Sequence, residues 1–440
     1  MHNAKQWVFL AAIVSAALPA SALARQCGTG DWVLRSVTGP TPRASVAMAF
    51  DSARGRTVVY GGVNQAGLFT DTWEWDGSAW QQALIAGPDA RGGSAMVFDS
   101  ARAQCVLVGG QVPNGSYSSQ TWEYDGSVWV LRTDLVGSPG SRGDFGMAYD
   151  SARSQVVVFG GKTTGGGIAS TKLYNGTSWT SPSVNSDPAA RSGNTLCFDS
   201  ARSRVVMYGG SLLKSDAWEW TGTGWTLRSL TGPVRVGGAY AFDIASGTTR
   251  LFTGRVSTSA DPLEDAWSWN GTVWAAQPEL GPGPRIDSRA VFDSARGVIV
   301  LFGGFNGVTY EGDTWEWSFA STPRVTSDPA SALAHVGESI SLSVTASGGG
   351  GSYHWRRAGV ALVDDGRIMG SQSSTLTIAP ATLTDAGNYD VQITNNCGST
   401  YSAVAQVTVS PTCPTDTNGD GIINTIDLAA LLSKFGMTCP

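Results

Sequence analysis

Near the C-terminus, Asp416, Asn418, Asp420, Asn424 and Asp427 place oxygen-bearing side chains at positions 1, 3, 5, 9 and 12 of the run DTNGDGIINTID. Gly421 stands at position 6, where such a loop must turn sharply, and Ile422 offers its backbone carbonyl at position 7. Hard oxygen donors at alternate positions suit calcium, which takes about six to eight of them. Calcium is therefore the expected cofactor. Leu428, Leu431, Leu432 and Phe435 follow at the spacing of one helix face, and Gly436 suits the helix end. Cys413 and Cys439 bracket this module, and a disulfide between them is expected.

The loop resembles the EF-hand calcium loop, with Asp427 where that loop ends in Glu. With the Asp-Leu-x-x-Leu-Leu helix after it, the segment is similar to one dockerin repeat. Dockerins use two such repeats to present a cohesin-binding face, and this chain has one. The resemblance implies calcium binding, and attachment to a cohesin-like or other cell-surface partner through residues 411–440.

A second set of chemical groups recurs along the chain. Arg43, Arg91, Arg142, Arg191, Arg235 and Arg285 occupy equivalent positions in six repeats. A ring of guanidinium groups could hold the carboxylates or sulfates of an acidic polymer. Alternatively, each Arg bonds backbone carbonyls within the fold. Phe69, Tyr117, Phe305 and Tyr310 are unrepeated loop aromatics, and are the candidates for stacking on sugar rings. No residue is assigned a catalytic role. The three histidines are His2, His335 and His354, all outside the repeats. The repeats therefore lack the imidazole for a Ser-His-Asp arrangement or a copper-radical oxidase site. Glu74, Glu123, Glu219 and Glu316 recur like scaffold residues, and a carboxylate pair on the more variable loops remains an alternative.

The elements that carry these groups are strongly periodic. Each repeat begins at the Arg and passes a Phe-Asp or Tyr-Asp pair. It reaches Gly61, Gly109, Gly160, Gly209, Thr253 or Gly303 eighteen residues after the Arg, and a Trp-rich segment follows. An unvarying spacing over a hydrophobic hairpin means that one inserted residue would turn every side chain to the other face. The fifth copy (Thr253-Gly254) and the third (Lys172-Leu173-Tyr174) depart from the pattern. The sixth lacks its last strand, and Gly30-Asp31-Trp32-Val33-Leu34-Arg35 at the other end of the chain matches the missing piece.

The Gly-Gly, Trp and Arg pattern resembles the kelch repeat of galactose-oxidase-like β-propellers. The fold implied is all-β: a six-bladed kelch propeller over residues 25–322, closed by the N-terminal strand. Loop length varies on one face only, over roughly 63–71, 111–120, 162–171, 211–216, 255–265 and 305–313, which is where grafted binding loops are expected.

Residues 323–410 change character to Ser, Thr and Val. Trp355 and the run Asp385-Ala386-Gly387-Asn388-Tyr389 resemble an immunoglobulin-like sandwich, with Val344 and Val391 in place of its two core cysteines. Residues 1–24 read as a secretory signal ending in Ala22-Leu23-Ala24, and no later segment reads as membrane-spanning. The net charge of −6 gives no reason to expect nucleic acid as a partner. The expected protein is secreted or held at the cell surface. Its function is binding of an extracellular polysaccharide or surface protein, with the calcium module for attachment. A polysaccharide-degrading enzyme and a structural cell-surface protein are the alternatives.

Overall fold

The computed structural model describes residues 30–411, apart from 184–186, 258, 279–280, 320–321, 348–350 and 396, together with 424–433. The leader, Cys27, Cys413, Cys439 and the expected calcium donors Asp416, Asn418, Asp420 and Ile422 lie outside the described residues.

Residues 30–319 form six four-stranded antiparallel sheets. The first consists of Ala47–Asp51, Arg56–Tyr60, Thr72–Trp75 and Trp80–Ala83. The next four repeat this meander in chain order. In the sixth, Arg289–Asp293, Val298–Phe302 and Thr314–Phe319 are joined by Gly30–Ser36, with Trp32 opposite Trp317. In the first sheet Trp80 faces Trp75 in the same way, so the borrowed strand takes the register of an ordinary fourth strand.

Each hairpin turn is held by the Asp that ends the first strand. Asp51 accepts from the amides of Ala53 and Arg54 and pairs with the Arg54 guanidinium. Arg54 reaches on to Glu74, as Arg102 does to Glu123. The recurring glutamates are thus internal ties. Apolar side chains fill the spaces between sheets. Trp75, Trp220, Trp269 and Trp317 are fully buried, and the indoles of Trp80, Trp129, Trp179 and Trp225 donate to Thr314, Thr72, Thr121 and Thr171 of a neighbouring sheet.

The glycine pairs mark close approaches between repeats. The amide of Gly62 donates to the carbonyl of Arg91 in the next repeat at 2.9 Å, and that of Gly304 donates to Arg43 of the first, also at 2.9 Å. A Cβ on Gly61 would lie 2.6 Å from the Arg91 carbonyl oxygen, at a φ of +64°, so glycine is required there. Thr253 adopts the same left-handed conformation at φ 60°, which is costly for a β-branched residue.

Residues 324–410 form two packed sheets. One contains Ala332–His335, Ala405–Ser410, Gly387–Asn395, Ser352–Arg357 and Val360–Ala361; the other contains Ile340–Ser343, Thr375–Ile378 and Ile368–Met369. Trp355, Val344, Val391 and Tyr389 lie in one apolar core. The Tyr389 hydroxyl donates to the Asp385 carbonyl at 2.7 Å, the bond that defines a tyrosine corner. A single helix, Thr425–Leu432, is described beyond it.

Candidate functional site

Two residues after each repeated Arg, the chain enters the left-handed region at Ser45, Gly93, Asp144, Gly193, Gly237 and Asp287, with φ between 50° and 70°. These six positions are bonded head to tail. Gly93 donates its amide to Ser45, Asp144 to Gly93, Gly193 to Asp144, Gly237 to Gly193, Asp287 to Gly237 and Ser45 to Asp287, at 2.7–3.3 Å. The sixth bond returns to the first residue, so the first strands of the six sheets surround a common axis.

Two cavities lie on that axis. The larger, about 400 Å³, is walled by the first strands and carries the repeated aromatics Phe50, Phe98, Tyr149, Phe198, Phe242 and Phe292. The smaller, about 290 Å³, is bounded by the hydrogen-bond ring, by Val63, Gln111, Lys162 and Ser211 after four of the glycine pairs, and by Arg255 after Thr253-Gly254. Asn194 and Arg289 line both. The smaller cavity is the charged one. Asp144 pairs with Lys162 at 2.7 Å. Asp287, half the ring away, forms no ion pair with any described residue. Burial pushes its carboxyl above the usual aspartate range, and Asp144 adds to the rise; Arg289, Arg255 and Lys162 oppose it. Burial works against the Lys162 ammonium, but Asp144 holds it above its ordinary value overall. This arrangement can bind a polar solute, with cationic donors and carboxylates both lining the cavity.

The six repeated arginines do not reach this cavity's solvent. All are buried, at 0–4% exposure. Arg43 donates to the Gly61 carbonyl at 3.1 Å, and Arg91, Arg142, Arg191 and Arg285 make the equivalent bond eighteen residues on. Arg191 and Arg285 also grip Asp216 and Asp313 bidentately. Arg235, in the copy with Thr253, instead bonds Val234 and Asp265. Arg142 finds Ser170 rather than a carboxylate, and burial pushes it down to about 10. The expected ring of ligand-binding guanidinium groups is corrected accordingly: each is already engaged inside the fold.

The loop aromatics are also occupied. Phe69 lies under the Arg43 guanidinium at 3.7 Å. Phe305 and Tyr310 pack on each other with centroids 5.0 Å apart. Tyr117 packs against Gly143. In the C-terminal segment, Asn424 and Asp427 form a capping box at the head of the helix, where the Asn424 amide donates to Asp427 at 2.9 Å. Cys397 is disulfide-bonded, whereas Cys105 and Cys197 are free thiols. The expected Cys413–Cys439 bond lies outside the described residues.

Sequence reasoning missed Asp144 and Asp287. The signal was a column in which Gly alternates with Ser and Asp two residues after the repeated Arg, the mark of a left-handed position.

Residues 322–395 match the immunoglobulin domain family. Among solved structures, the chain is similar to titin M4, at 24% identity over 20% of this chain and 95% of that one, with a TM-score of 0.19. It is likewise similar to the first domain of Duf (Kirre), at 21% identity over 21% of this chain and 99% of that one, also with a TM-score of 0.19. Scores this low support no argument about architecture. No curated protein matches the chain. Among the described residues, no helix is long and apolar enough to cross a membrane.

These findings correct the family reading of the sequence. The family match is to an immunoglobulin domain over residues 322–395, not to a kelch repeat or a dockerin. The kelch-propeller and dockerin assignments are withdrawn. The physical reason lies in the residues that carried the resemblance. The Arg, Gly-Gly and Trp columns are those that bond within and between small sheets, so they report a repeated four-stranded unit and not a lineage.

Proposed function

We propose that the chain is a structural protein of the cell surface or extracellular space, in which the six-sheet region and the immunoglobulin-like domain act as rigid building units. The observation that carries this reading is the immunoglobulin domain at residues 322–395. The internal engagement of the repeated arginines and loop aromatics supports it, because the groups best suited to gripping a polymer are used for cohesion. A second reading, binding of an extracellular polysaccharide or surface protein, is favoured by the charged axial cavity. The test is sedimentation of the purified chain, together with a polysaccharide panel scored for retention and released sugars. Concentration-dependent assembly without retention of neutral polysaccharides is expected. A monomer that retains a polysaccharide favours the binding reading, and released sugars favour an enzyme.

Calcium is proposed for the C-terminal segment, with Asp416, Asn418, Asp420, Ile422, Asn424 and Asp427 as donors. The described pair, Asn424 and Asp427, is held together at the helix head, which supports a common site. Calcium at millimolar concentration is expected to raise helical circular dichroism of the full chain, with a smaller response in Asp427→Ala. An unchanged spectrum would rule the site out. A bound segment of this kind serves as an attachment point to a surface partner.

A further inference from the structure

We propose that the smaller axial cavity binds a uronic acid, a pyranose that carries both a carboxylate and hydroxyl groups. The inference is independent of the structural role above. Its first support is conformational. Three of the six ring positions are glycine, which adopts a positive φ freely, but two are aspartates held at φ 53° and 54°. Strained residues cluster at functional sites, and an observed outlier licenses that question. Asp144 and Asp287 stand three repeats apart in a six-membered ring and so face each other across the axis.

The second support is an inventory of polar atoms. Asn194 is 3% exposed and lines the cavity. Its amide nitrogen donates to the Phe159 carbonyl, while its Oδ1 has no partner among the described residues. The Asp287 carboxylate likewise accepts no hydrogen bond from, and forms no ion pair with, any described residue. These are two acceptors in need of hydroxyl donors. Opposite in sign, the buried Arg255 Nε has no partner, and neither Arg255 nor Arg289 pairs with a described carboxylate. They suit an anion. Lys162 is already matched by Asp144.

A neutral sugar would leave the two guanidinium groups unanswered, and a simple carboxylate would leave Asn194 and Asp287 unanswered. A uronic acid answers both. Buried polar groups left unpaired by the wrong ligand are what give such sites their discrimination. The volume of about 290 Å³ is at the small end of ligand cavities and suits one ring. The source could be a free uronate or the end of an acidic polymer.

The experiment is calorimetric titration of the full chain with glucuronate, an oligogalacturonide, glucose and acetate. Saturable binding of glucuronate at one per chain is expected, with glucose and acetate at least about tenfold weaker. Binding of the oligogalacturonide as well assigns the site to a polymer end; glucuronate alone assigns it to the free sugar. Arg255→Gln and Asp287→Asn should each weaken glucuronate by about tenfold or more while circular dichroism stays unchanged. Glucose or acetate matching glucuronate would overturn the proposal. So would the absence of glucuronate binding, or unchanged affinity in both variants. Should either variant misfold, Arg289→Gln repeats the comparison with the second unpaired guanidinium.

Discussion

The six-sheet region and the immunoglobulin-like domain are both antiparallel β-structure, yet they are held together differently. The sandwich has one apolar core around Trp355, Val391 and Leu376. The six-sheet region divides its apolar surface among several clusters between adjacent sheets and adds a layer of buried arginines. A sandwich buries one face of each sheet against the other and needs few internal charges. A sheet packed on both sides by its neighbours has edges and turns that meet other turns, and there backbone carbonyls need donors. Arginine, with five donors in a planar fork, meets that need. Charge in the interior is therefore a consequence of how many sheets meet.

The difference can be broken at several points. Trp355→Ala should remove about 3–5 kcal/mol from the sandwich and abolish its unfolding transition while the six-sheet transition survives. Scanning calorimetry checks this, and joint loss of both transitions would show that the two regions fold as one. Arg191→Met strands Asp216, whose carboxyl lies below the usual range because Arg191 and Trp218 bond to it against the effect of burial. Removing one partner of such a pair costs about 3–5 kcal/mol, here confined to the six-sheet transition; a shift smaller than that of Arg142→Met, which strands no carboxylate, would contradict the pairing. The smallest effect is a gain. Asp287 titrates above an ordinary aspartate in the folded chain, so its ionisation costs stability above its folded pKa, a cost that fades as pH falls toward the unfolded range. Asp287→Asn should raise the melting temperature at pH 7 and lose that advantage at pH 3. A constant gain across pH would assign the effect to something other than charge.

Much of the framework could be read from residue types. The eighteen-residue interval is the span of an arginine-to-carbonyl bond, and such an interval tolerates no insertion. The match between residues 30–35 and a fourth strand corresponds to the pairing of Trp32 with Trp317. Trp355 and Tyr389 take the core and corner positions that the immunoglobulin-like resemblance implied. The axial cavity was not legible in the same way. Repetition drew attention to the arginines, but repeated residues are those that hold the sheets. Asp144, Asp287, Lys162 and Arg255 stand in columns whose residue type changes from repeat to repeat. Only the cyclic order of the sheets brings them together, and sequence gives no measure of that proximity. The occupied state of Phe69 was hidden for the same reason, since its arginine partner lies in another strand.

The strand Gly30–Ser36 pairs with Thr314–Phe319, and Arg35 reaches Glu316 across 281 residues of chain. During synthesis the segment made first must wait for nearly three hundred residues before its partner exists. The five sheets between can assemble locally as they emerge, each from a short stretch of chain. The sixth cannot, and its three later strands carry an unpaired edge until the early segment arrives. Exposed edges of this kind recruit other chains. The protein's risk of aggregation is therefore concentrated in one interval of its life, and a helper that sequesters residues 30–36 or 314–319 during that interval would act where the hazard is greatest.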